Sequence, residues 1–136
     1  MKTFLTPLAA AATLAMTACA TDGQTERANA PLPAAATADA IGAPVGCINS
    51  GLIASTKGIT RNHMMFEMKG GRLYRNELSG SCPNAVRGDP YRYVNPQGTS
   101  LCRGQIITYF DASSGMDMGS CVLGDFTPIP EDTPLK

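Results

Sequence analysis

The sequence predicts an all-β fold, a small antiparallel β-sandwich or partly open barrel of five to six short strands stapled by two disulfides. Three observations carry that prediction. Apolar residues in the middle of the chain alternate with period two, Met64, Phe66 and Met68 against Met65, Glu67 and Lys69. That is the repeat of a strand with one buried face. Turn chemistry rich in Gly, Pro, Asn and Ser recurs every eight to twelve residues or so. Cys47, Cys82, Cys102 and Cys121 make an even set behind a leader-like N-terminus, which reads as a disulfide framework.

The first element is that leader. Lys2 supplies a positive charge, and Phe4, Leu5, Leu8, Ala9 to Ala12, Leu14, Ala15 and Met16 make an apolar stretch. It falls short of the ~20 residues that span a bilayer and suits a signal peptide over residues 1–18. It ends in Met16-Thr17-Ala18-Cys19, which resembles the lipobox of bacterial lipoproteins. The resemblance implies a diacylglyceryl group on the Cys19 sulfur, cleavage before Cys19 and acylation of the new amine. Several acyl chains anchor far more firmly than one. Ala20 stands where an Asp would resemble an inner-membrane retention signal. The expected address is therefore the cell envelope, lipid-anchored at the outer membrane and facing the periplasm.

Residues 19–45 read as the lipidated cysteine and a flexible tether rich in Ala, Thr and Pro, interrupted by Pro31, Pro33 and Pro44. Such a chain would reach on the order of 30 Å. The folded domain is expected over 46–126, and a Pro-rich tail over 127–136 that lies extended or frays.

Within the domain the clearest element is a hairpin. The strand at Met64–Met68 meets Gly70-Gly71, glycines that accept the positive φ of tight turns, and Leu73–Leu78 returns. Gln105–Asp111 carries Ile106, Ile107, Tyr109 and Phe110, Ser113-Ser114-Gly115 turns, and Met118–Phe126 returns as one strand. Shorter strands are expected at Leu52–Lys57 and Tyr91–Val94. One helical turn is expected near Pro83–Val86. Turns fall at Ser79-Gly80-Ser81, Arg87-Gly88-Asp89-Pro90 and Asn95-Pro96-Gln97-Gly98.

With Cys19 taken by lipid, four cysteines allow three pairings. The preferred one is Cys82–Cys102, tying a loop to the strand after it, with Cys47–Cys121 joining the first and last strands. Such closures contribute roughly 3 and 4.5 kcal/mol. No C-x-x-C pair occurs, which argues against a zinc site or a thioredoxin-like redox centre.

The chain has 11 Lys+Arg and 11 Asp+Glu. That balance argues against nucleic-acid binding by bulk electrostatics. Lone His63 has no Gly-x-Ser-x-Gly elbow or carboxylate pair to work with, so no catalytic residue is assigned and the chain is read as a non-enzyme. A hydrolase using Asp111, Asp117 or Asp125 is the remote alternative. No cofactor is called for. His63 and Met65, with Met64, Met68, Met116 and Met118 nearby, are weak candidates for copper because thioethers and imidazole suit Cu(I). Core filling by methionine is the plainer reading. Arg87-Gly88-Asp89 matches an adhesion tripeptide but is also ordinary turn chemistry. The best binding face is Tyr74, Arg75, Tyr91, Arg92 and Tyr93, within a set of tyrosines and arginines that also holds Tyr109 and Arg72, since aromatic and arginine side chains together take sugars, polyanions or a protein edge.

Cys47, Leu73-Tyr74-Arg75-Asn76-Glu77-Leu78, Cys82-Pro83, Leu101-Cys102 and Cys121-Val122-Leu123-Gly124-Asp125-Phe126 occur in that order. Over residues 46–126 this resembles a family of small Gram-negative envelope lipoproteins with a domain of unknown function. The resemblance implies a four-cysteine architecture and carries over no catalytic residue. The expected function is a binding or structural module, anchored by lipid and meeting an envelope protein or cell-wall component. A periplasmic metal or small-ligand binder using His63 and its methionines is the alternative.

Overall fold

The computed structural model describes residues 31–94 and 98–135. The signal peptide, the lipid site at Cys19 and the tether up to residue 30 lie outside them, as do Asn95, Pro96 and Gln97 of one expected turn. The described chain is mostly β, as expected. Its elements are α1 (Ala34–Thr37), β1 (Cys47–Asn49), β2 (Ile53–Gly58), β3 (His63–Met68), β4 (Leu73–Glu77), α2 (Pro83–Arg87), β5 (Tyr91–Tyr93), β6 (Ser100–Cys102), β7 (Ile106–Phe110), β8 (Asp117–Val122) and β9 (Phe126–Ile129). The strands form three antiparallel sheets, ordered β2-β3-β4-β9, β5-β7-β8 and β1-β6, with no closed barrel. The count exceeds the expected five to six because β1 and β6 are three-residue strands, too short for an alternating pattern, and because β9 lies in the supposed tail.

The β3–β4 hairpin forms as expected. Gly70 and Gly71 have φ of 106° and 93°, and the Gly71 N–H donates to the Met68 carbonyl at 2.9 Å. One face of β3 was expected to be exposed. Instead both faces are covered. Met64, Phe66 and Met68 join the main core with Ile107, Tyr109, Leu101, Leu123 and Phe126, and Phe66 meets Phe126 edge-on at 5.2 Å. Met65, only 1% exposed, packs on the far side against Ala35, Leu73 and Ile129.

That second cluster corrects the tether. From Pro31 onward the chain belongs to the compact unit. Helix α1 lies over Met65 and Leu73, its Ala35 fully buried. Arg75 Nη1 donates to the carbonyls of Ala36 at 3.1 Å and Ala38 at 2.7 Å. Residues 41–45 then run beside β9, where the Ile41 N–H donates to Pro128 and Val45 and Phe126 exchange two backbone hydrogen bonds of 2.9 Å. The boundary drawn at residue 126 likewise falls inside the fold, because Phe126 to Ile129 pair with β4.

The single return strand expected at Met118–Phe126 is two strands in different sheets. The chain changes sheet at Gly124, where a Cβ would stand 2.3 Å from the Glu77 carbonyl oxygen. Only glycine allows that approach.

The disulfides also correct the expected pairing. They are Cys47–Cys102 and Cys82–Cys121, not Cys82–Cys102 with Cys47–Cys121. Strand β1 lies beside β6 with Cys47 directly opposite Cys102, their Cα atoms 4.0 Å apart. Cys82 stands at the start of α2, and its partner Cys121 lies in β8. The last strand, β9, holds no cysteine.

Candidate binding cleft

Helix α2 is the element that creates a cavity. Pro83 opens it, a position where the missing N–H costs nothing. Gly88 closes it in the left-handed region at φ 75°, as helix C-termini prefer. The helix is fixed to β8 by the Cys82–Cys121 disulfide and by buried Asn84, whose Nδ2 donates to the Met118 carbonyl at 2.9 Å. It is fixed to β2 by contact, since a Cβ on Gly58 would stand 2.0 Å from the Ala85 carbonyl oxygen. The chain leaving the helix, Arg87-Gly88-Asp89-Pro90, is held by the Asp89 N–H donating to Asn84 at 3.3 Å and the Phe110 N–H donating to Pro90 at 3.0 Å.

Under this loop, between β2 of one sheet and β5 and β7 of the other, lies a cleft of about 540 Å³. Such a volume suits a small ligand. Met64 and Tyr109 form its floor, Tyr91, Pro90 and Val86 its apolar walls, and Thr56, Lys57, Arg87 and Asp89 its polar edge. Tyr91 and Tyr109 are cross-strand partners with ring centroids 5.9 Å apart. The Tyr109 hydroxyl donates to the Met64 sulfur at 3.8 Å. Burial pushes its pKa up to about 12, helped by neighbouring Tyr91 and by the Asp89 carboxylate. Burial also raises Tyr91, with Thr56 hydrogen-bonding to it in the opposite sense. The Asp89 side chain is 20% exposed. Arg87 Nη2 lies 3.0 Å from Oδ2 as an ion-pair contact, yet that buried oxygen has no hydrogen-bond partner. A buried acceptor without a donor is uncommon and asks for an explanation.

The expected face of Tyr74, Arg75, Tyr91, Arg92 and Tyr93 is not one surface. Of the five only Tyr91 lines this cleft. Arg92 points to the other side of β5, pairs with Asp117 and lies over the Phe110 ring at 5.4 Å. Arg92 and Tyr93 line a separate groove of about 450 Å³ with Val94 and Ile106. Tyr74 borders a third, of about 260 Å³, near β1 and β2. Arg75 is engaged with α1.

His63 sits at the start of β3, its Nδ1 2.9 Å from Thr60 Oγ1. Met65 is occupied with Ala35, Leu73 and Ile129. Met64 and Met68 belong to the main core. Among the described residues no three His, Cys, Asp or Glu side chains converge on a metal-sized site. The three aspartates considered for hydrolysis have separate engagements. Asp111 accepts hydrogen bonds from Ser113 and Ser114, which hold its pKa down at about 2. Asp117 pairs with Arg92, and Asp125 pairs with Arg103 at 3.1 Å.

As cleft residues, Asp89 and Thr56 were not foreseen from the sequence, whereas Tyr109, grouped there with the other tyrosines, does line the cleft. Gly88-Asp89-Pro90 read as a turn, and so it is. Nothing local marks its carboxylate as facing β2 and β7. No family model, curated protein or solved structure matches the chain.

Proposed function

We propose that this chain is a non-catalytic envelope lipoprotein, held by lipid on Cys19 at the outer membrane, whose folded domain binds a partner through the cleft under Arg87–Pro90. The lipobox-like Met16-Thr17-Ala18-Cys19 and the resemblance to small envelope lipoproteins support the address. One observation carries the binding reading: a cleft of about 540 Å³, built by an anchored helix and bordered by tyrosines, holds a buried Asp89 oxygen whose one polar neighbour is the ion-paired Arg87 guanidinium at its mouth, with no hydrogen bond made among the described residues. A preformed concave site with apolar walls and a few convergent polar groups is the usual form of a ligand site.

The test is in-cell cross-linking of the lipidated mature protein, with adducts identified by mass spectrometry, in wild type and in Asp89→Ala. A discrete envelope adduct that the variant loses is expected. Adducts at background level, or adducts unchanged in Asp89→Ala, would contradict the reading.

A further inference from the structure

We propose that the Cys47–Cys102 disulfide is a thiol–disulfide exchange site, opened at Cys47 by the thiolate of an anionic thiol, while Cys82–Cys121 is a fixed structural bond. The site lies apart from the cleft under Arg87–Pro90 and shares no lining residue with it. Three features distinguish this bond from the other.

The first is access. Exchange requires a thiolate to reach one sulfur of the bond. Cys82 and Cys121 are both buried, at 2% and 6% exposure. Cys102 is buried as well, but Cys47 is exposed. Of the four cysteines it alone offers an open approach. Exposed disulfides are the labile ones.

The second is the register of β1 on β6. The Arg103 N–H donates to Gly46 and the Ser50 N–H to Thr99, each at 2.7 Å. Hydrogen-bonded pairs alternate along an antiparallel ladder, so Cys47 and Cys102 form a pair without hydrogen bonds between them. Ladder bonds flank the disulfide, and it can open without breaking one. Strands β1 and β6 pair with each other and with no other strand. Opening the bond therefore leaves the two larger sheets and Cys82–Cys121 in place.

The third is charge. Cys47 borders the groove of about 260 Å³ that also holds Leu52, Tyr74, Lys69 and Arg72. Cys102 is not part of it. Lys69 Nζ donates to the Gly51 carbonyl at 2.9 Å, and Arg72 is exposed and makes no ion pair with any described residue. No carboxylate lines the groove. Two cations beside the exposed sulfur favour an attacking thiolate, and more so one that carries a further negative group.

The thiolate attacks Cys47 Sγ, the bond to Cys102 breaks, and its electron pair leaves on Cys102 Sγ, which takes a proton from water. Cys47 is then joined to the attacking thiol as a mixed disulfide. If the attacker is a dithiol, its second thiolate displaces Cys47 and closes the attacker's own disulfide. Two electrons and two protons then end on Cys47 and Cys102.

The test uses the protein purified from the envelope in detergent micelles, any free Cys19 thiol first blocked with iodoacetamide. It is treated with dithiothreitol and trapped at early times with N-ethylmaleimide, and mass spectrometry identifies the opened bond. Cys47–Cys102 should open about tenfold or more faster than Cys82–Cys121 in the folded protein, and the two should open at nearly equal rates in urea. Because the first bond opened is the one counted, later unfolding of the reduced protein leaves the order readable. Three monothiols, mercaptoethanesulfonate, mercaptoethanol and cysteamine, are then compared at low ionic strength with rates expressed per thiolate. Each adduct should sit on Cys47. The sulfonate should react about fivefold faster than the neutral thiol, and cysteamine slowest. Arg72→Gln, at an exposed position, should remove most of that order. Equal opening of the two bonds in the folded protein, adducts chiefly on Cys102, or equal rates for the three thiols would overturn the proposal.

Discussion

Asn76 and Gly124, 48 residues apart, exchange two hydrogen bonds: Asn76 Nδ2 donates to the Gly124 carbonyl at 2.8 Å, and the Gly124 N–H donates to Asn76 Oδ1 at 2.9 Å. Asn76 is fully buried in β4, and Gly124 is where the chain passes from β8 to β9. The amide side chain thus stands in for a strand at the crossing from β8 to β9, one of the places where the chain passes between sheets. Removing it should be costly, since it leaves both polar groups of the part-buried Gly124 backbone without their partner. Asn76→Ala is expected to cost about 2–4 kcal/mol, and Gly124→Ala about 3 kcal/mol or more, because its Cβ would meet the Glu77 carbonyl oxygen. Urea unfolding with the disulfides intact measures both. A loss under 1 kcal/mol in either variant contradicts this account of the crossover.

The disulfide pattern is directly checkable. Non-reducing proteolysis and mass spectrometry should return Cys47 linked to Cys102 and Cys82 linked to Cys121. Each closes a loop, of 55 and 39 residues respectively, and should contribute about 4 kcal/mol by chain entropy. The Cys82→Ser, Cys121→Ser variant should in addition loosen α2, seen as faster hydrogen exchange at Ala85 and Gly88.

The segment before β1 is part of the fold. Ala35→Glu would bury a charge among Met65, Leu73 and Ile129 and should release the segment, at a cost bounded by its own docking energy. Arg75→Ala removes the donor to Ala36 and Ala38. Hydrogen exchange over residues 34–45 should rise in both variants while the β3–β4 hairpin stays protected. Equal protection of residues 34–45 in wild type and variants would count against docking.

Stability should fall in alkaline solution. The Tyr109 pKa in the fold is raised to about 12 by burial, then by Tyr91 and Asp89, above its unfolded value near 10. The folded state therefore keeps its proton where the unfolded state has lost it. The contribution is fully present below about pH 10 and is lost as pH rises toward 12. Tyr91, shifted in the same direction, adds to the slope. Urea midpoints between pH 8 and 11 should decline in wild type and decline less in Tyr109→Phe.

Much of this architecture is legible in the residues. Period-two alternation in Met64–Met68 and the paired Gly70-Gly71 mark the central hairpin, and Pro83 with Gly88 brackets α2. What alternation could not show is which face has a cover. Met65 reads as an outward position until Ala35 is found above it, and a run of Ala and Thr carries no signal that it will dock. The disulfide pairing failed for a related reason. It assumed that the last strand neighbours the first, whereas β9 adds to β4 and the three-residue β6 takes the place beside β1. The cleft was the least legible part. Tyr91 was singled out, but with Arg92, which the pleat of β5 turns to the other face, and with Tyr93, whose ring stays 6.3 Å from that of Tyr91 yet borders a different groove. Asp89, Thr56 and Lys57 become one site only through sheet packing, which brings residues more than 30 positions apart to a common edge.

The central claim is that partners are met at the cleft. A photo-reactive amino acid at Val86, on its rim and 49% exposed, tests this most directly beside the same residue at Leu52, equally exposed but outside it. Irradiation of cells carrying the full-length lipoprotein should give a discrete adduct from position 86 that is absent from position 52 and lost in Asp89→Ala. The same adducts from both positions, or from neither, would contradict it.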